Sequence, residues 1–277
     1  MDAVKNRLKG TRFDRLFRRV LNAFGLNVYV PATPARLTSE IYNDAPQITR
    51  YLFIGGLHRS GTTLIEHYIH AHYDVACLRA TVPESEGQHL QSVFPTGERF
   101  GGAGEFAFDP RAQFALPDDP ETVRSEIMAE WSQFIVGDSD LLVEKSPPNL
   151  VRIPWLRHVF PGCQILIVTR DPRAVAGATM KWNAAGRERL LHHWDAAYSI
   201  TKRDLGPDCY VIRYEDFCED PRGAIEASGL GAVLGPPKLK AIDPRFAEIR
   251  NSNARYLPQH GRRRYGHGVW ESFGYKF

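Results

Sequence analysis

The apolar run Tyr51-Leu52-Phe53-Ile54 leads straight into Gly56-Leu57-His58-Arg59-Ser60-Gly61-Thr62-Thr63. A strand that enters a glycine-rich turn and reopens as a helix at Thr62-Thr63-Leu64-Ile65 restricts the fold to few choices. The spacing is that of the phosphate-binding loop GxxxxGK[ST], except that Thr62 stands in the lysine position. The glycines let backbone N–H groups close around an anion, and the helix N-terminus adds partial positive charge. Nucleoside-triphosphate hydrolysis needs that lysine at the β- and γ-phosphates, so its replacement argues against ATP or GTP chemistry. Arg59 and the hydroxyls of Thr62 and Thr63 keep the loop suited to anions.

At 277 residues the chain fits one large α/β domain, or two small ones as the less favoured alternative. The net charge of +3 does not make the whole molecule a polyanion binder, and no nucleic-acid partner is expected. The charge is uneven: Lys5, Arg7, Lys9, Arg12, Arg15, Arg18 and Arg19 face only Asp2 and Asp14 within residues 1–30. Leu8, Phe13, Leu16, Phe17, Val20, Leu21 and Phe24 recur there at helical spacing, which predicts a basic amphipathic helix. Such a helix packs on its own domain with a solvated basic face, or lies on an anionic membrane surface. The first reading is preferred, because charge runs usually mark exposed faces. Cys77, Cys163, Cys209 and Cys218 show no CxxC or zinc-type spacing, so reduced thiols and a cytoplasmic location are expected. No apolar stretch approaches 18 residues and no secretory leader pattern is evident.

Further along, Thr81 to Pro117 is rich in Gly, Pro and Phe and weakly periodic, which predicts a long irregular segment. Asp119-Pro120 opens a helix whose buried stripe is Ile127, Met128, Trp131, Phe134 and Ile135. Strands are expected at Leu141–Val143, Ile165–Val168 and Tyr210–Ile212, with a helix after each. The alternation predicts an α/β fold: a P-loop-like, doubly wound parallel sheet flanked by helices, residues 49–277, preceded by a helical extension over 1–48. Ligands of such sheets bind beyond the C-terminal strand ends, which gathers Arg59, Lys145, Arg170 and Tyr214 at one edge.

Two anion sites, HRSGTTL (58–64) and VTRDPRAVAGATMKW (168–182), resemble the cofactor signature of sulfotransferases that use 3′-phosphoadenosine-5′-phosphosulfate (PAPS). The resemblance runs on through residues 71–91, 144–175 and 211–217 to SFGYKF (272–277). It is closest to the branch of tyrosylprotein and bacterial carbohydrate or small-molecule sulfotransferases. It implies that Arg59, Ser60, Gly61, Thr62 and Thr63 take the 5′-phosphosulfate, Arg170 takes the 3′-phosphate, and Tyr214 packs near the adenine. Arg suits phosphate by its planar fork. The family's serine eight residues after that arginine is Ala178 here, with Thr179 about 100° further round the helix as a substitute. Arg262, Arg263 and Arg264 either close over the 3′-phosphate or form a solvated turn.

The resemblance also implies catalysis by Lys145 at the leaving group, and by a carboxylate base in PESEGQ, Glu86 ahead of Glu84, with His89 as a third candidate. No metal is expected, since Arg and Lys neutralise the charge and no carboxylate cluster for Mg²⁺ is evident. The expected reaction moves a sulfuryl group from PAPS to a hydroxyl acceptor and releases PAP. A saccharide, even a polysaccharide, or a small molecule is the expected acceptor. Phe94, Phe100, Phe106 and Phe108 line an acceptor cleft or pin the long segment down, the second being preferred. The rivals are a small-molecule P-loop kinase, disfavoured by Thr62, and a PAP-binding relic, favoured by Ala178. Peripheral membrane contact through residues 1–30 is a variation on the main reading.

Overall fold

The computed structural model describes residues 47–81, 85–238, 242–261 and 263–276. The amphipathic helix and the boundary at residue 48 therefore fall on or beside residues outside that range, as do Glu84 and Arg262. Six strands form one sheet in the order β3-β2-β4-β1-β5-β6. They are β1 (Arg50–Gly55), β2 (Ala76–Leu78), β3 (Ile135–Val136), β4 (Leu141–Lys145), β5 (Gln164–Thr169) and β6 (Cys209–Arg213). All neighbouring pairs are parallel except β2 with the short edge strand β3. The helices are α1 (Thr62–His72), α2 (Pro120–Trp131), α3 (Ile153–Val159), α4 (Pro172–Thr179), α5 (Arg187–Asp204), α6 (Tyr214–Glu219), α7 (Pro221–Ser228) and α8 (Gly231–Leu234).

The continuous apolar runs of the central strands follow from burial on both faces. On one face Phe53, Leu142, Ile165 and Ile167 pack with Trp131, Phe160, Trp194 and Tyr198. On the other, Leu52, Ile54, Val143, Leu166 and Val168 pack with Ile65, Tyr68, Ile69 and Phe217. Each large apolar side chain removed from water contributes about 1.5–3 kcal/mol, so the middle of the sheet is the stable part of the molecule. The expected doubly wound sheet is present, with two additional strands at its β2–β3 edge. The helix opened by Asp119 stops at Trp131, so Phe134 lies in a 3₁₀ turn and Ile135 begins β3. The Asp119 carboxylate accepts from the Thr122 N–H at 3.1 Å, the expected N-cap.

The long segment has short 3₁₀ turns at Gly87–His89, Gly97–Phe100, Phe106–Phe108 and Pro110–Gln113. Phe106 and Phe100 are buried in the main core, Phe94 packs against it, and Phe108 is exposed. Most of these rings hold the segment down.

Candidate active site

The parallel sheet puts the C-terminal ends of β4, β1, β5 and β6 side by side. Ile54 pairs with Lys145, Gly55 with Ile167, and Thr169 with Arg213. The loop 56–61, Lys145, Arg170 and Tyr214 each begin at or just after one of those ends. Ser60 N–H closes the turn on the Leu57 carbonyl at 2.9 Å, and Arg59 adopts φ 73°. Gly61 follows at φ 97°, the left-handed region that favours glycine. Its missing side chain also admits Tyr214, whose ring carbon would lie 2.5 Å from a Cβ at that position. Thr62 and Thr63 open α1, Thr62 buried and Thr63 half-buried. The Arg59 side chain is exposed, its guanidinium 4.9 Å from the centre of the Trp182 ring.

Arg170 is buried, and burial in turn lowers its proton affinity below the ordinary arginine value. It donates to the Arg59 carbonyl at 2.7 Å, to Asn253 Oδ1 at 2.8 Å and to Ser252 Oγ at 2.9 Å. Its guanidinium lies 4.2 Å from the Tyr214 ring centre. The two sequence-separated anion motifs are thus bonded to each other, and Tyr214 packs against both. Ser252 and Asn253 were not singled out from sequence; no motif marks them, and only the fold returns that segment to the sheet edge. Glu215 accepts from the Asp171 N–H and from Asn253, which locks the β5 and β6 ends together.

Ala178, in the position of the missing serine, is fully buried in a small cluster with Ala174 and Tyr256. Thr179 is also buried, and its hydroxyl donates to the Val175 carbonyl at 2.8 Å. That bond turns the hydroxyl back along its own helix. Arg263 lies 4.0 Å from Glu188, both exposed.

Lys145 and Glu86, 59 residues apart in sequence, form a buried ion pair with Nζ to Oε1 at 3.0 Å. Gln88 Nε2 donates to the other oxygen at 2.6 Å, and His89 Nε2 lies 3.5 Å from it. Burial alone would raise the Glu86 pKa, but His89, Lys145 and His58 outweigh it and hold the carboxyl down at about 2. His89 is itself desolvated, which lowers its affinity for a proton, yet Glu86 and Glu98 raise it above the ordinary histidine value. The structure thus brings Glu86, His89 and Lys145 together. An open cleft of about 620 Å³, lined by Pro95, Arg99, Phe100 and Phe114 among others, adjoins the 3₁₀ turn that carries Glu98. Glu98 reaches to 3.9 Å from His89.

A family model described as "Sulfotransferase family" matches residues 52–227, well over half of the chain and all four strand ends. The chain belongs to the Sulfotransferase family. Among curated relatives of this sulfotransferase family member, the protein-tyrosine sulfotransferase of Drosophila melanogaster is 27% identical over 195 residues. That match covers 61% of this chain and 35% of the relative. Protein-tyrosine sulfotransferase A of Caenorhabditis elegans is 27% identical over 201 residues, covering 67% of this chain and 50% of the relative. The chain thus spans about a third to a half of the length of these relatives. Among solved structures, the sulfotransferase domain of the Synechococcus PCC 7002 olefin synthase is similar with a TM-score of 0.47 at 17% identity. That likeness covers 87% of this chain and 100% of the other.

Among the described residues, no three His, Cys, Asp or Glu side chains converge as a metal site. No described helix is long and apolar enough to cross a membrane.

Proposed function

We propose that this chain transfers a sulfuryl group from PAPS to a hydroxyl acceptor and releases PAP. The observation that carries this reading is the buried Lys145–Glu86 pair beside the lysine-free phosphate loop. Sulfuryl transfer asks for an anion cradle, a cation at the leaving oxygen and a base for the acceptor. The loop 56–61 with the start of α1 supplies the first, Lys145 the second and Glu86 the third. The donor's 3′-phosphate meets Arg170, with Ser252 beside it offering a hydroxyl where Ala178 has none.

In the reaction the acceptor oxygen attacks sulfur, and the bond from sulfur to the bridging phosphate oxygen breaks. The acceptor's proton goes to Glu86, and the leaving charge falls on Lys145 and the loop N–H groups. Catalysis is then mainly positioning and charge stabilisation. Both carboxylate oxygens of Glu86 are taken, by Lys145 and Gln88, which makes it a weak base. An anion in the loop draws Lys145 off Glu86 and makes the carboxylate more basic, which ties the base to the donor. His89 offers the proton a route towards solvent.

The names of the curated relatives favour protein tyrosine as the acceptor over the saccharide expected from sequence. The acceptor oxygen would approach from the cleft beside Glu98 and His89. A thermal-shift assay tests the donor: PAP should raise the unfolding temperature of the wild type but not of Arg59→Ala. Stabilisation by ATP with Mg²⁺ and none by PAP would reject this reading in favour of a kinase. Arg170→Ala should weaken PAP binding by about tenfold to a hundredfold, the loss of a charged hydrogen-bond set of about 1.5–3 kcal/mol, measurable by calorimetry.

A further inference from the structure

Glu144 precedes Lys145 in β4 and is almost completely buried. Its hydrogen bonds come from neutral groups: Gly87 N–H to Oε1 at 2.8 Å, Ser146 Oγ to Oε1 at 2.5 Å and Asn149 Nδ2 to Oε2 at 2.6 Å. Burial pushes the Glu144 pKa up, and although the buried Arg152 guanidinium lies within its field, these hydrogen bonds all come from neutral donors, so holding the group there is costly. Its bonds run to the segment that carries the candidate base. Ser146 Oγ, while donating to Glu144, accepts from the Gln88 N–H at 3.1 Å. Trp131 Nε1 donates to the Gly87 carbonyl at 3.0 Å, so that peptide is held from both sides. A Cβ at Gly87 would lie 2.6 Å from the Glu144 carboxylate, so the close approach requires glycine. On its other side Asn149 Nδ2 reaches the Ile54 carbonyl at 3.3 Å, where the phosphate loop departs.

We propose that Glu144 is a positioning residue, which fixes Gly87 and Gln88 and thereby seats Glu86 on Lys145 at a set distance from the phosphate loop. This rests on the sulfotransferase reading for its catalytic consequence, but not for its geometry. Successive residues of β4 then do separate jobs. Lys145 faces the reacting groups, while Glu144 aligns the segment that brings the base. The proposal also explains why a base located in an irregular segment can be placed accurately: the segment is tied to the sheet at the residue next to it.

The test is the titration of the Glu86 carboxyl, followed by NMR in wild type and Glu144→Gln, alongside each protein's unfolding temperature. The amide offers one acceptor oxygen where three donors converge; when its N–H₂ group faces Gly87 that bond is lost and Glu86 slips from Lys145. The Glu86 midpoint should rise by about one pH unit or more. Removing a nearby negative charge without moving Glu86 would lower the midpoint instead. An unchanged or lowered midpoint in folded Glu144→Gln and in folded Glu144→Leu, which keeps no acceptor for Gly87, overturns the proposal. If either variant does not fold, Ser146→Ala, which deletes one small hydroxyl of the network, decides by the same sign. In turnover assays Glu144→Gln should lose about tenfold to a hundredfold in kcat, with the KM for PAPS little changed. A wild type with no turnover would reject the sulfotransferase reading, whereas the Glu86 titration judges the positioning proposal independently.

Discussion

At the scale of single residues, the Lys145–Glu86 pair is where stability and the proposed chemistry meet. Removing one member of a buried pair leaves an uncompensated charge, whereas removing both can be nearly neutral. Lys145→Ala should therefore destabilise the fold by about 3 kcal/mol, and Lys145→Met combined with Glu86→Gln by clearly less, read from urea midpoints. The same pair sets a pH dependence. The Glu86 pKa falls on folding from 4.5 to about 2, so its contribution is fully present above 4.5 and is lost as pH falls through about 2. Glu86→Gln should flatten that part of the acid-unfolding curve, and a curve unchanged by the substitution would deny the ion pair its role. Arg59, Lys145, Arg170 and Tyr214 could be gathered at one sheet edge from sequence because each stands at a strand end or in a recognisable loop. Glu86, in the irregular segment, was named only through the family resemblance. Glu144, Ser252 and Asn253 were not legible, because the contacts that tie them to the site, Gly87 for Glu144 and Arg170 for the other two, lie 57 to 83 residues away and only the fold reveals them.

At the scale of elements, the strand–loop–helix unit from Arg50 to His72 was readable almost to the residue. An apolar run, glycines and paired hydroxyls agree there with the tertiary structure. Gly61 is its most constrained position, by a positive φ and by the Tyr214 ring. Gly61→Ala should destabilise by about 1–3 kcal/mol and abolish the PAP-induced thermal shift, since both the turn and the aromatic packing must yield. A variant that keeps wild-type PAP binding would show that this loop is not the anion site. Strands β2 and β3 went unread because three and two residues carry no periodic signal. They exist because β4 offers β2 a parallel edge and β2 then pairs with β3. The same limit explains Ile135, whose apolar spacing continues that of α2 although the backbone has already left the helix.

For the molecule as a whole, one sheet edge collects groups from four parts of the chain, and the two faces beneath it are filled by separate apolar clusters. A rigid core with chemistry at its strand ends is how α/β folds place ligands. The class of fold was legible because it depends on long apolar runs between helices. The cleft proposed for the acceptor was not, because it is lined by the long segment after Thr81, where packing of individual rings overrides any pattern. The most direct measurement is transfer of radiolabelled sulfate from PAPS to a tyrosine-containing peptide and to a panel of saccharides, with wild type, Glu86→Gln and Lys145→Ala compared. The account predicts transfer by the wild type to a hydroxyl acceptor. Each variant should then lose about a hundredfold or more in kcat while Glu86→Gln still binds PAP. Wild-type rates in both variants, or PAP binding without transfer to any acceptor, would contradict it.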